Sequence, residues 1–487
     1  MNPPQAPRRD LTLPHSVALV AGIIIGTGIF LKPAVMAQAV GTPALVLAAW
    51  VIAGAIAMLG ALSFAELGAL LPHAGGEYVY LREAYGEAVG FLFAFNSFLI
   101  GGATLAAYGA AFAIFCSDIH PLGDPWLRQD LSVLGRTFEL ELGARQALAV
   151  GVILFFTAIN CIGVAAGGRT QALLTTLKVL ATLALAGGAF LLADTPGGSN
   201  LFAAPASGAG AVSGLGMAVL AALWAYSGWQ YLPMAAAEVR DPGRTIPRAI
   251  VGGTAAVLVL YALVNLAFLH ALPFEQVATA NSTAYPDAPS VATRAAQTFL
   301  GSQAASFAAL VFLLSTIGSL NGVLLGRARV PYAAARDGLF FRAFGRLGAR
   351  SRAPVASIVL TSLWAVVLAA TGTFDQLTNM AVLTYAVFWI PVVLAVIVLR
   401  RRHPDAARPY RVPGYPWTPI AFVLVMTWVV VSALITRPAE SLATLGLILL
   451  GLPFYPLFRR RLRLRPSPAP TGRSAPHAAP RSPHRSG

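Results

Sequence analysis

Charged side chains are scarce in this chain of 487 residues. Asp, Glu, Lys and Arg make up 11% of it, whereas 57% of its residues are hydrophobic. A soluble domain carries about 25% charged residues. Uncharged stretches of about 20 residues, long enough to cross a bilayer as a helix, recur throughout the chain. The composition therefore predicts a polytopic membrane protein rather than a soluble domain.

Cysteine and clustered catalytic groups are also scarce. The two cysteines, Cys116 and Cys161, fall in or beside apolar segments and lack the spacing of a metal site. No Ser/His pair, paired carboxylates or His/Glu set falls at membrane depth, as an intramembrane enzyme requires. We therefore expect a protein that is not an enzyme, with no catalytic residue, no metal and no cofactor.

Twelve apolar segments have the length of membrane-spanning helices. The predicted spans are residues 13–37, 43–70, 88–116, 146–165, 170–192, 212–237, 247–271, 302–326, 354–371, 377–399, 419–436 and 442–458. The organisation that we expect is an N-terminal tail at 1–10, a ten-span core at 11–400, two more spans with their preceding loop at 401–461, and a tail at 462–487. That last segment is rich in Pro, Ser and Arg, which is typical of disorder.

The net charge of +15 indicates the orientation. Arginines concentrate in the loops that share a side with the N-terminus, such as Arg240, Arg244 and Arg248 after the sixth span. The opposite loops hold few arginines and most of the loop aspartates. Because cytoplasmic loops are enriched in Lys and Arg, both termini are predicted to be cytoplasmic. We expect a multi-pass protein of the cell inner (plasma) membrane and no nucleic acid partner.

Glycines interrupt the first and sixth apolar segments. The first break is GIIIGTGIF at residues 22–30, and the second is WAYSGW at residues 224–229. Lipid offers no hydrogen-bond partners, so opened backbone at membrane depth is tolerated only where it lines a cavity or meets a ligand. Breaks at corresponding places in two halves are typical of a transporter's substrate site. The alternative is that these glycines only allow close helix packing.

An opened helix offers two kinds of backbone group. The half-helix after the break presents N–H groups and a positive dipole end, which suit a carboxylate, and the half before it presents carbonyls, which suit an ammonium. Two crossing breaks can therefore hold a zwitterion without an ionised side chain. The predicted substrate-binding residues are Ile24, Gly26, Thr27, Gly28, Ile29, Trp224, Ser227, Gly228 and Gln230.

The same segments resemble a known family. Residues 22–30 resemble the first-helix signature of the amino acid–polyamine–organocation superfamily, and SFAELG at 63–68 with AGGEYVY at 74–80 resembles its L-type amino acid transporters. Similar matches are NCIG at 160–163, the sixth break with AEVRDPGRTIP at 237–247, GSLNG at 318–322, and RPYRVPGYP at 408–416. The resemblance covers about residues 11–460, in order.

This resemblance implies an all-α fold with the five-plus-five inverted repeat of the leucine-transporter type, about 12 transmembrane helices, and discontinuous helices 1 and 6. It implies secondary active transport of L-amino acids by alternating access, with Trp224 as an aromatic gate over the substrate. Eukaryotic L-type carriers can pair with a single-span glycoprotein through a disulfide. Cys116 departs from a loop cysteine, so we expect no obligatory protein partner besides membrane lipid.

Lys178 is one of only two lysines, and it lies deep in the fifth span. Ionisable groups at that depth usually face the protein interior and serve a function. In the resembling family a fifth-helix lysine takes the place of a sodium ion. By that resemblance Lys178 would reach the first-helix backbone and the hydroxyls of Ser315, Thr316 or Ser319, and transport would not need sodium.

The substrate class stays open at this point. The two breaks contain no acidic side chain to hold a cationic substrate, which favours neutral L-amino acids, moved by exchange or with a proton. A carrier of cationic amino acids or polyamines is the first alternative. A nutrient sensor that does not transport is a second, although the chain shows no large soluble signalling domain.

Overall fold

The computed structural model describes residues 7–133, 136–193, 211–282, 284–285, 288–371, 374–436 and 438–463. Its α-helices are α1 (Leu13–Ile24), α2 (Gly28–Val40), α3 (Pro43–Leu70), α4 (Glu77–Tyr85), α5 (Glu87–Ile119), α6 (Ala144–Ile162), α7 (Val164–Leu191), α8 (Ala211–Ala225), α9 (Tyr231–Met234), α10 (Pro242–Ala271), α11 (Phe274–Ala278), α12 (Val291–Leu300), α13 (Ala304–Arg327), α14 (Arg329–Arg336), α15 (Val355–Thr371), α16 (Phe374–Arg402), α17 (Trp417–Thr436), α18 (Pro438–Leu449) and α19 (Tyr455–Arg463). Short 3₁₀ turns occupy Ala236–Glu238, Gly301–Gln303, Arg342–Gly345 and Leu452–Phe454.

The number of apolar helices agrees with the sequence. Among the described residues, 10 helical stretches are long and apolar enough to cross a membrane, and two shorter apolar helices cover Gly214–Ala225 and Val355–Ala370. The predicted all-α polytopic fold is therefore confirmed. The predicted tail at 462–487 falls almost wholly outside the described residues, and the predicted domain boundaries stay predictions.

Local signals explain where many helices begin and end. Helix α3 spans the predicted residues 43–70 because Pro43 suits the first helical turn and the Thr42 side chain accepts a hydrogen bond from the Leu45 N–H at 3.4 Å. Helix α2 ends at Val40 because the next residue, Gly41, has a φ of 69°, in the left-handed region that glycine adopts without strain.

Both predicted discontinuous helices are present. The first apolar segment breaks between α1 and α2, and the sixth breaks between α8 and α9. Helix α1 packs at the centre of the described bundle, against α7, α10 and α13, while α2 packs against α8. The two interrupted helices are therefore neighbours, which brings the two breaks together.

A two-stranded antiparallel hairpin joins α5 to α6, with β1 (Leu127–Val133) and β2 (Arg136–Leu142). Leu127 lies opposite Leu142 across the pair. The predicted spans do not include this hairpin, because a search for apolar runs of about 20 residues passes over the short alternation of apolar and polar residues that forms strands.

We call the end of the bundle that carries the hairpin the hairpin side. The opposite end, where α3 ends at Leu70 and α16 ends at Arg402, is the basic side.

Candidate functional site

The first break leaves three backbone N–H groups without an acceptor in the described part of the chain. Within the described residues, those of Thr27, Gly28 and Ile29 donate to no protein acceptor, and the next helical N–H groups, from Phe30 and Leu31, return to the Thr27 carbonyl at 3.1 and 3.2 Å. Thr27 is 6% exposed. Since buried backbone groups almost always find a partner, three adjacent free donors indicate a place for an anionic group.

The carbonyls before this break have protein partners. The Ile24 carbonyl, predicted to accept from a substrate ammonium, instead accepts from the Gly26 N–H at 2.7 Å and the Tyr261 hydroxyl at 2.6 Å. The Ile25 carbonyl accepts from Ser315 Oγ at 2.8 Å. In this conformation, therefore, the carbonyls of the first break serve to hold the opened backbone in place.

The second break supplies open carbonyls. Within the part of the chain that the structure describes, the carbonyls of Tyr226 and Ser227 accept no hydrogen bond. Gln230, predicted to contact substrate, instead spans the loop: its Oε1 accepts from the Gly228 N–H at 2.9 Å, and its Nε2 donates to Ser227 Oγ at 3.1 Å. Gln230 thus shapes the break from within.

Glycines set how closely the two breaks approach. A Cβ on Gly28 would lie 2.7 Å from the Ala225 Cβ, and one on Gly228 would lie 2.7 Å from the Ile24 N. Gly26 differs, since a Cβ there would meet nothing closer than 3.8 Å. Close packing therefore accounts for Gly28 and Gly228, whereas the backbone at Gly26 leaves room for a Cβ.

Trp224 lies where the two interrupted helices meet. Its ring would be 3.2 Å from a Cβ on Gly28, and Lys32 Nζ lies 5.1 Å from the ring centroid. A cation at that distance is attracted to the face of an indole. Trp224 is thus placed against the start of α2, next to the free N–H groups, and its role as a gate stays a prediction.

Lys178 reaches the first break from α7. It is fully buried, and its Nζ donates to the carbonyls of Gly22 at 2.7 Å, Ile25 at 2.9 Å and Ser315 at 2.9 Å. Three acceptors match the three donors of an ammonium group. The side chain therefore joins the end of α1 and the first residue after it to α13.

The three hydroxyls predicted beside Lys178 behave differently. Ser315 contacts it through its carbonyl, as described above. The Ser319 Oγ lies 3.4 Å from the Ile23 carbonyl and 3.5 Å from that of Gly22, so it supports α1 instead. The Thr316 hydroxyl donates to the Phe312 carbonyl at 2.8 Å, within its own helix. The structure thus gives Thr316 no contact with Lys178.

Tyr261 is a site residue that the sequence did not reveal. Its hydroxyl lies 2.6 Å from the Ile24 carbonyl and 3.2 Å from the Ala225 carbonyl, at the ends of α1 and α8. The side chain is fully buried. A tyrosine within an apolar span carries no pattern of its own, so only the three-dimensional arrangement identifies this link between the breaks.

Two buried ion pairs close the basic side. Glu238 accepts from Arg329 at 2.8 Å with both side chains almost fully buried, and Glu66 pairs with Arg400 at 2.6 Å. Arg408 also approaches Glu66, at 3.6 Å. The first pair connects the segment after α9 to α14. The second connects α3 to α16 and to the loop that follows α16.

The family model for amino acid permeases matches residues 11–450 of this chain. The serine/threonine exchanger SteT of Bacillus subtilis is 29% identical over 457 residues, which cover 93% of this chain and 98% of that protein. The b(0,+)-type amino acid transporter 1 of Rattus norvegicus is 30% identical over 465 residues, with 93% and 88% covered. The cystine/glutamate transporter of Homo sapiens is 29% identical over 457 residues, with 93% and 85% covered. The two interrupted helices and the match over nearly the whole chain lead to one conclusion: this chain belongs to the amino acid permease family.

Proposed function

We propose that this protein moves neutral L-amino acids across the membrane by alternating access and without sodium. The observation that carries the proposal is the set of free N–H groups on Thr27, Gly28 and Ile29. They lie at the start of α2, where the helix dipole adds positive potential, and a substrate carboxylate would accept from them.

The substrate ammonium would lie against the second break. The free carbonyls of Tyr226 and Ser227 are acceptors there, and α2 and α8 are packed together. This assignment moves the ammonium away from Ile24, whose carbonyl is already used by Tyr261 and Gly26. Backbone N–H groups and backbone carbonyls would thus recognise the carboxylate and the ammonium group that all α-amino acids share.

The proposal of neutral side chains rests on charge. Residues 22–30 and 224–230 contain no Asp, Glu, Lys or Arg. An ionised substrate side chain that finds no opposite charge in a low-dielectric site costs several kcal/mol. A neutral side chain avoids that cost.

Independence from sodium follows from Lys178. Its ammonium contacts two carbonyls where α1 ends, those of Gly22 and Ile25, and one on α13, at 2.7 to 2.9 Å. Backbone carbonyls of an opened helix are the groups that coordinate sodium in transporters of this architecture. With a resident positive charge on the same oxygens, a sodium ion would be repelled.

We place the protein in the cell inner membrane with both termini, and hence the basic side, in the cytoplasm. The bias of arginine toward one set of loops supports this orientation.

We further propose that the protein transports substrate without enzymatic activity and without an obligatory protein partner. The printed name of one relative, the large neutral amino acids transporter small subunit 2 of Rattus norvegicus, describes a subunit, so independence from a partner needs its own test.

The decisive experiment is uptake of radiolabelled L-alanine into proteoliposomes that contain the purified chain alone. Vesicles are prepared with and without internal unlabelled amino acid, and sodium is replaced by choline in a parallel set. We expect uptake that does not respond to sodium and needs no second protein. Arginine and putrescine should compete poorly.

The outcomes separate the alternatives. Uptake that requires internal amino acid identifies an exchanger, and uptake into empty vesicles identifies net transport. If only arginine or putrescine enters, the neutral substrate class is wrong. If no amino acid enters or competes, the proposed transport by the purified chain is wrong.

A further inference from the structure

Within the described residues, Glu77 is a buried carboxyl without an ion pair, and its Oε2 has no hydrogen-bond partner. It begins α4 on the basic side and is 2% exposed. The other buried glutamates of this side, Glu66 and Glu238, both pair with arginines. An ionised carboxylate left in this state would be costly, so the carboxyl is expected to carry a proton here.

The groups that face Glu77 come from three elements. Arg327 at the end of α13 acts on it through its positive charge, Trp389 of α16 presents an indole N–H, and Tyr80 lies on α4 itself. Within the described residues, the Tyr80 hydroxyl and the Arg327 Nε are buried and have no hydrogen-bond partner. Within the described residues, Arg327 lies more than an ion-pair distance from any carboxylate.

A row of polar side chains links Glu77 to the first break. Ser319 Oγ would lie 3.9 Å from a Cβ on Gly26, and the Tyr108 hydroxyl faces Ser319. Tyr385 interacts with Tyr108, and the Arg327 guanidinium lies 4.9 Å from the Tyr385 ring. The hydroxyls of this row both donate and accept, whereas the guanidinium of Arg327 only donates. The row therefore joins the substrate site to Glu77 through the position and charge of Arg327.

Glu77 is also joined to an interrupted helix. The Gly75 N–H donates to the Met234 carbonyl of α9 at 2.9 Å, and a Cβ on Gly76 would lie 2.9 Å from the Met234 N. The Arg327 Nη2 donates to the Tyr231 hydroxyl of the same short helix at 3.3 Å. A movement of α9 would therefore act on the surroundings of both Glu77 and Arg327.

We propose that Glu77 binds the proton of a proton-coupled transport cycle: its buried carboxyl holds one proton in the conformation described here and releases it to the basic side when α9 moves. The inference rests on the proposed function. On release, Oε2 loses its proton to water, and the resulting carboxylate is stabilised by the guanidinium of Arg327. Burial raises the pKa of Glu77 to about 8, against the lowering effect of the Arg327 charge, so the site holds a proton near neutral pH.

The geometry favours Glu77 over Lys178 as the proton carrier. Lys178 donates to three carbonyls, which requires all three protons of its ammonium group. Loss of one proton would set a lone pair against a carbonyl oxygen. Loss of the proton from Glu77, in contrast, breaks no hydrogen bond of Oε2, because Oε2 has no partner within the described residues.

The test measures proton and amino acid movements in the same proteoliposomes, with a pH-sensitive dye in the lumen. External L-alanine should acidify the lumen of vesicles with the wild-type chain. Glu77→Gln mimics the protonated carboxyl and cannot release a proton. It should abolish the acidification while exchange of labelled for unlabelled alanine continues. Glu83→Gln, an exposed glutamate on the same helix, is the matched control and should keep both.

Each result decides a separate point. Acidification that persists in Glu77→Gln overturns the proposal, as does alanine exchange by the wild-type chain without any acidification, which leaves the proposed transport intact. Absence of exchange in the wild-type chain defeats the proposed function itself.

A second variant keeps the proposal testable if Glu77→Gln does not fold. Arg327→Gln removes the positive charge that favours ionisation of Glu77, so the pH of half-maximal alanine-driven acidification should rise by about 1 unit. A purely structural role for Arg327 would lower the rate at every pH without moving that midpoint, and that result would overturn the proposal.

Discussion

The hydroxyl of Tyr261 lies 2.6 Å from the carbonyl of Ile24, at the point where α1 ends. The same hydroxyl is 3.2 Å from the carbonyl of Ala225, at the end of α8. One side chain of α10 therefore contacts both interrupted helices immediately before their breaks. Any change in the relative position of the two half-helices must alter at least one of these contacts.

Tyr261→Phe is expected to weaken substrate binding. Without the hydroxyl, two buried carbonyls lose a donor, at a cost of about 1–3 kcal/mol. We expect the KM for alanine uptake to rise several-fold with little change in protein yield. Tyr85→Phe is the matched control, because it removes a similar bond, to the Pro391 carbonyl at 2.8 Å, away from both breaks. Equal effects of the two variants would contradict a special role for Tyr261.

Lys178→Met is expected to reduce alanine uptake by at least tenfold. It removes the charge that bridges the carbonyls of Gly22 and Ile25 where α1 ends at the break. Uptake is compared in sodium and in choline at equal amounts of reconstituted protein. Thr176→Val changes an exposed residue of the same helix and should be silent. Normal uptake by Lys178→Met would show that the charge is not needed.

Gly318→Ala tests the same contact without removing the amine. A Cβ at Gly318 would lie 2.7 Å from Lys178 Cε and 2.8 Å from its Nζ, so the end of the Lys178 side chain must shift relative to its carbonyl partners. Alanine is otherwise favoured over glycine within a helix by about 0.5–1 kcal/mol, so the fold should not weaken through the backbone. We expect uptake to fall while thermal stability in detergent is maintained.

Gly252→Ala, at a position where a Cβ would meet nothing within 4 Å, is the control for this change. It should leave uptake as in the unaltered protein. A Gly318→Ala protein that transports as well as Gly252→Ala would mean that the position of Lys178 can shift without consequence.

The sequence was sufficient to predict the fold class and the two breaks, because hydrocarbon imposes strict rules on helix length and on open backbone. The partners of the opened backbone were harder to predict. Ile24 and Gln230 differ from expectation because Tyr261 and the Gly228 N–H lie where only tertiary packing can place them. The sequence also could not predict that Glu77 lacks an ion pair within the described residues, because arginines lie near it in the sequence.

The buried pair of Glu238 and Arg329 provides the last prediction, which concerns stability. Glu238→Gln leaves the arginine charge buried and uncompensated, which typically costs about 3–5 kcal/mol. We expect a marked fall in the thermal unfolding temperature in detergent. Replacing both residues, as Glu238→Gln with Arg329→Met, should recover much of the loss because no lone charge remains. Arg240→Gln, whose side chain is 62% exposed and 3.8 Å from Asp10, should change stability by less than about 1 kcal/mol. If Glu238→Gln is as mild as Arg240→Gln, the pair does not hold the segment after α9 against α14.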